Sequence, residues 1–201
     1  MFITFEGIDG CGKSTQLKLL NEYFLKQNKQ TLIIREPGGT KVSEKIREIL
    51  LSKNLEMTNI TELLLFAAAR NSLVEKVIKP ALKQGIYVLS DRFFDSTTAY
   101  QGYGREINLD YIKIINEIAT NGLKPNLTFF LDVSIEIANK RSKNKNKDRI
   151  EASGNEFYEK VIKGYYSIAK EEPHRIKIIN SKGSISYTHN LILDFIKNFS
   201  Q

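Results

Sequence analysis

The chain has 201 residues, enough for one domain with a sizeable buried core. Its 41% hydrophobic and 26% charged residues are those of a globular protein, and no apolar run nears the ~20 residues that a bilayer-spanning helix needs. Lys and Arg outnumber Asp and Glu by 30 to 23, for a net +7; nucleic acid, an anionic surface, small phosphate-rich ligands or a merely solvated lysine surface would each account for that excess.

In chain order, the opening run MFITFE has no basic n-region and meets an acid at Glu6, so no signal peptide is expected. The single cysteine, Cys11, excludes an internal disulfide and suits a reducing, cytoplasmic location. Short runs rich in Ile, Val, Leu and Phe predict strands at 2–6, 31–35, 87–91, 127–132 and 175–180. Helical spacing predicts helices over 14–27, 42–51, 58–84, 109–121, 135–140, 156–170 and 185–198, the third passing Pro80 and stopping at Gly85. There is no internal repeat and no Pro/Gly-rich linker. The expectation is one α/β domain over 1–201, a doubly wound parallel five-stranded sheet flanked by helices. Such sheets bind ligands at the carboxyl ends of their strands, and that is where the motifs fall.

The first is Gly7-Ile8-Asp9-Gly10-Cys11-Gly12-Lys13-Ser14, which matches G-x-x-x-x-G-K-[ST] at every fixed position between a predicted strand and a predicted helix. Glycines let backbone N–H groups converge on phosphate oxygens, and the helix N-terminus adds partial positive charge. Residues 7–14, with Thr15 after them, are the candidate ATP site, with Lys13 for the β- and γ-phosphates and Ser14 for Mg²⁺. Cys11 gains some thiolate character from that position, but a small residue simply fits there and no chemistry is assigned to it. No N-K-x-D guanine element is present, and short length disfavours motors and helicases.

Arg92 follows the third predicted strand, and fixed cations near a transferring phosphoryl group supply most of the catalysis in such reactions. It is the candidate acceptor-phosphate clamp, with a structural Asp91–Arg92 ion pair as the competing reading; Asp91 is a candidate Mg²⁺ holder, directly or through water. Phe66 and Arg70 stand one helical turn apart, so a ring could stack on a base while a guanidinium reaches its edge; plain core packing is the alternative for Phe66. Arg70, in an apolar stretch, needs a partner. Arg47 is a second candidate phosphate clamp, with a solvated helix residue as its competitor. Lys140, Arg141, Lys143, Lys145, Lys147 and Arg149 crowd ten residues opposed only by Asp148, and Lys alternates with Asn, which predicts a mobile basic lid at about 141–154.

Four further motifs, RE-P-GGT at 35–40, LFAAAR at 65–70, DRF at 91–93 with Ser96 and AYQG at 99–102, and DRIE at 148–151, occur in an order and spacing that resemble bacterial thymidylate (dTMP) kinase from the first strand to the last helix. The resemblance implies a P-loop nucleoside monophosphate kinase fold, transfer of phosphate from ATP-Mg²⁺ to dTMP, and a homodimer. It implies that Phe66 stacks on thymine while Arg70 binds its O4, and that Tyr100 crowds the sugar 2′ position. It places Gln101 with Ser96 or Thr97 at the base, Asp9 at the acceptor sugar and Mg²⁺, and Pro37 at the pocket floor. Some family members carry an arginine in the phosphate loop; here Gly10 and Cys11 are uncharged, so the cation is expected from the lid, as Arg149, with Arg141 nearer the adenine or phosphates. Rivals are a kinase for another monophosphate or a deoxynucleoside, and a nucleotide-dependent switch or nucleic-acid binder. The basic run lacks interleaved aromatics, so no nucleic-acid partner is expected, nor a membrane.

Overall fold

The computed structural model describes residues 1–142 and 148–199. Strands β1 (Phe2–Glu6), β2 (Thr31–Arg35), β3 (Tyr87–Asp91), β4 (Leu127–Asp132) and β5 (Ile176–Asn180) pair in parallel in the order β2-β3-β1-β4-β5. β1 is buried along its whole length, as a strand covered on both faces must be, and its composition FITFE supplies the apolar side chains for both layers. From β1 the chain goes out to the β2 edge, returns through β3, and crosses to β4. The carboxyl ends of β1, β3 and β4 therefore surround the point where the winding reverses.

Nine α-helices are formed among the described residues: α1 (Lys13–Lys26), α2 (Lys41–Leu51), α3 (Asn59–Leu73), α4 (Lys79–Lys83), α5 (Phe94–Thr97), α6 (Leu109–Thr120), α7 (Ile135–Arg141), α8 (Gly154–Glu171) and α9 (Ile185–Phe199). On one side Ile3, Phe5, Phe129 and Leu131 meet Leu17, Leu20 and Phe24 of α1 and Ile192 and Ile196 of α9. On the other, Phe2, Ile34 and Val88 meet Leu73, Ile78 and Ala81 from the α3–α4 path. Each fully buried Phe or Leu contributes about 1.5–3 kcal/mol relative to exposure, so the two layers fix the sheet on which the site is built.

The helix expected over 58–84 follows its predicted path, but between α3 and α4 it widens into a π-turn at Val74–Ile78. Pro80 accounts for this. It has no N–H to donate and its ring would crowd the carbonyl one turn earlier, which a wider turn relieves. The path ends at Gly85, whose φ of +76° suits glycine. β5 starts one residue later than expected, because the Arg175 amide turns back to the Glu172 carbonyl while its guanidinium grips Asp95 with two bonds of 2.7 Å. That grip also anchors α5, which with a π-turn at Thr98–Gly104 forms the buried helical segment after β3.

Candidate active site

The phosphate loop runs from the end of β1 into α1. Gly7, Gly10 and Gly12 have φ of +131°, +82° and +106°. A Cβ on Gly10 would strike the Ala138 carbonyl of α7, so only glycine lets the loop lie this close to its neighbour. The Lys13 ammonium is buried over the loop, donating to the Gly7 and Ile8 carbonyls at 3.0 and 3.1 Å. Burial pushes the Cys11 thiol up, against the thiolate character considered from its position, and Cys11 packs in the core. Ser14 Oγ donates to Asp91 Oδ2 at 2.9 Å, joining the first turn of α1 to the end of β3 through two hard oxygen atoms.

Arg92, immediately after β3, has φ of +73°, an uncommon backbone state for a residue with a Cβ. Its amide donates to Phe5 O at 3.0 Å, its carbonyl accepts from Ser90 Oγ at 2.6 Å, and the next amide, Phe93 N, donates to Glu6 Oε1 at 2.7 Å. These bonds hold the strained turn and aim the guanidinium back over the loop. There Nη1 donates to Gly7 O (2.9 Å) and Ser96 Oγ (3.1 Å), Nη2 to Asp9 Oδ1 (2.9 Å) and Tyr100 OH (3.2 Å), and the group lies over the Tyr100 ring. Burial works against its charge, but Asp9, the two phenols Tyr100 and Tyr165 and Asp91 outweigh it and raise its pKa. The competing ion-pair reading holds only in part, since the acid paired with Arg92 is Asp9 and Asp91 turns to Ser14.

Two cavities meet at this point. One, of about 430 Å³, is lined by Asp9, Gly10, Gly12, Lys13, Ser14, Thr15 and Asp91, with Arg141 and the 181–188 segment opposite. Arg141 is fixed there by its bond to Ser181 O at 2.9 Å. Gly7, Ile8 and Cys11 lie outside its lining. The other cavity, of about 180 Å³, is lined by Pro37, Arg47, Phe66, Arg92, Ser96, Thr97, Tyr100 and Gln101. Asp9 and Asp91 belong to both. Arg47 Nη1 and Arg35 Nη1 both donate to Pro37 O, at 2.9 and 3.2 Å, so two guanidiniums converge on the second cavity's wall; burial and the charge of Arg35 lower the Arg47 pKa.

Two of the expected site arginines also stand outside both linings. Arg70 is buried beneath the second cavity and does not line it; its donors go to Glu36 Oε2 (2.7 Å), Thr97 Oγ1 (2.8 Å), Phe93 O (3.2 Å) and Asn116 Oδ1 (3.3 Å). Its partner is thus a buried carboxylate. Arg149 lines neither cavity: Nη2 pairs with Glu62 Oε2 at 2.6 Å and Nε donates to Leu50 O at 3.1 Å. Lys143, Lys145 and Lys147 lie outside the described residues.

Sequence reading did not assign roles to Glu6, Arg35 and Tyr165. Glu6 is wholly buried, accepting from Phe93 N, Ser96 Oγ (2.5 Å) and Tyr165 OH (2.9 Å), and burial with the nearby charge of Asp95 pushes its pKa up to about 7. An acid ending a buried strand was a visible signal for Glu6, and Arg35 stood within a quoted motif; nothing local marked Tyr165.

A family model described as thymidylate kinase matches residues 5–192. The chain is 47% identical over 198 residues to a thymidylate kinase of Thermoanaerobacter sp. (strain X514), covering 98% of each, and 47% identical over 207 residues to one of Chlorobaculum parvum, covering 98% of this chain and 95% of the relative. The crystal structure of a thymidylate kinase from Ehrlichia chaffeensis superposes with a TM-score of 0.82 at 38% identity, covering 98% of both chains.

Proposed function

The chain belongs to the thymidylate kinase family, and we propose that it phosphorylates dTMP to dTDP with ATP as donor, using the two adjoining cavities as donor and acceptor sites. One observation carries the assignment of the cavities: Asp9 and Asp91 line both, and Arg92 stands between loop and acceptor pocket. Phosphoryl transfer needs little covalent work from protein, so positioning and fixed charge are the chemistry this geometry supplies. Lys13, already above the loop, takes donor phosphate oxygens, while Arg92 with Arg47 and Arg35 grips the acceptor phosphate. Tyr100 is held against Arg92 by ring and hydroxyl, and Phe66 offers a face to the base.

Ser14 Oγ and Asp91 Oδ2 suit Mg²⁺, a cation that takes one or two protein oxygens beside phosphates and water. Bound there, the ion would neutralise charge on the phosphates. We read residues 1–201 as one kinase domain, with the basic segment at about 141–154 as its lid. A single buried cysteine fits a cytoplasmic setting, and among the described residues no helix is long and apolar enough to cross a membrane. The α6 residues Tyr111, Ile114 and Ile118 and the α3 residues Ile60 and Leu64 expose apolar side chains; α3 and α6 pack together, and this face is proposed as the contact between two copies of the chain. A panel of dTMP, dUMP, CMP, UMP and thymidine with ATP-Mg²⁺ tests the activity. The highest kcat/KM is expected for dTMP; preference for CMP, UMP or free thymidine overturns the reading.

A further inference from the structure

Glu62, in the first turn of α3, lines neither cavity, yet it is 1% exposed and ringed by donors. Gln101 Nε2 donates to its Oε1 at 2.9 Å; Arg105 reaches both oxygens, at 3.3 and 3.4 Å; Arg149 Nη2 lies 2.6 Å from Oε2. Burial pulls the Glu62 pKa upward, but the Gln101 bond and the two guanidiniums outweigh it and hold the carboxyl below its ordinary range. It is ionised at neutral pH, and an ionised carboxylate only accepts.

The consequence falls on Gln101. An amide has a donor end and an acceptor end, and one of its two N–H groups goes to the carboxylate, which turns the donor end toward Glu62 and the oxygen away from it. Turning the amide over would set oxygen against oxygen in a buried place. What Gln101 offers the acceptor cavity that it lines is therefore its carbonyl oxygen.

We propose that Glu62 is a positioning residue for acceptor-base selectivity: it locks the Gln101 amide so that the cavity presents an acceptor to a pyrimidine whose N3 carries a hydrogen. The proposal rests on the dTMP reading above and extends it to a residue that touches no substrate. The hydrogen on N3 is the only one on thymine's polar edge. Cytosine in the same pose would turn an N3 lone pair toward the Gln101 oxygen. Fixed, buried hydrogen-bond polarity discriminates between such bases better than an apolar wall does.

The test is the ratio of kcat/KM for dTMP to that for dCMP, in the wild type, Glu62→Gln, Gln101→Met and the double variant. A glutamine at 62 can donate as well as accept, which frees the Gln101 amide to turn. Glu62→Gln is expected to lower the ratio by about tenfold, the size of one good hydrogen bond, with the KM for ATP unchanged. In the Gln101→Met background the same change should leave the ratio alone, since no amide remains to be oriented. An equal fall for both acceptors, or the same shift in ratio without Gln101, overturns the proposal and leaves Glu62 as an anchor for the two arginines. Gln101→Met keeps Glu62 and its arginines in place and must lower the ratio by itself; an unchanged ratio there sinks the idea whether or not Glu62→Gln folds. A wild-type enzyme that prefers dCMP fails earlier, at the functional reading, and takes this proposal with it.

Discussion

Arg92→Lys keeps a positive charge on the wall of the second cavity but removes the fork that ties that wall to the phosphate loop. In the structure Nη1 and Nη2 divide their donors between Gly7 O and Asp9 Oδ1, both at 2.9 Å, with Ser96, Tyr100 and Tyr165 also within reach. A lysine has one nitrogen and cannot bridge the loop carbonyl and the carboxylate together. Losing one or two charge-assisted hydrogen bonds costs about 2–5 kcal/mol, which corresponds to roughly 30- to 5,000-fold in kcat/KM. Because Asp9 is more than a third exposed, at 37%, water replaces the lost partner there and the thermal midpoint should move little. The assay is steady-state kinetics with dTMP varied at saturating ATP, beside a thermal melt of the same sample. A kcat/KM within about threefold of wild type would refute the view that the planar fork, and not charge alone, is what the site requires.

Three other outcomes follow from particular contacts. Gly10→Ala forces a Cβ onto the Ala138 carbonyl at a φ of +82°, so ATP affinity measured by calorimetry should fall by more than about tenfold; unchanged affinity would show the loop yields at no cost. Glu6 has a folded pKa of about 7 against an ordinary 4.5, so the folded state holds its proton more tightly than the unfolded one. The stability this gives is complete below about pH 4.5 and is lost as pH rises through 7. Relative to Glu6→Gln, the wild type should lose stability between pH 5 and pH 8 in denaturant titrations; parallel pH curves would contradict it. Ile118→Glu, on the exposed face of α6, should convert a sedimenting dimer to a monomer, whereas a wild type that already sediments as a monomer removes that face as an interface.

What could be read in advance was what the chain encodes locally. β1 through β4 keep their expected bounds because continuous apolar runs admit few other states in a sheet covered on both faces. Phosphate-loop glycines and the Asp91–Arg92 pair sit at strand ends, where topology concentrates ligands, so motif and fold predicted each other. The segment 94–104 was less legible. Its residues are polar enough to read as a loop, and partners from far along the chain bury them in helical turns: Arg175 on Asp95, Glu6 and Tyr165 on Ser96, Arg70 on Thr97 and Glu62 on Gln101. Nor does a wheel of α3 reveal whether Arg70 faces a ligand or an acid from another element.

That last ambiguity follows a general physical pattern in this site. A guanidinium taken out of water must meet an anion or several acceptors, and a sequence announces the arginine without announcing its partner. Here three of the arginines expected at the acceptor side or lid have each found a carboxylate far away in the chain: Arg92 has Asp9, Arg70 has Glu36, and Arg149 has Glu62, while Arg47 and Arg141 donate to the carbonyls of Pro37 and Ser181. Only the first acid was singled out from sequence, because it lay inside a phosphate loop. Glu36 and Glu62 resemble ordinary surface acids until the fold buries them to 7% and 1% exposure. Arg70 shows what this changes. With Glu36, Thr97, Asn116 and the Phe93 carbonyl on its donors, it braces the wall that Thr97 and Glu36 present to the acceptor cavity. Any bond from Arg70 to a base would have to be taken from one of these partners. On the proposed function, base recognition would then be divided between the groups that line the cavity and the buried acids that fix their orientation.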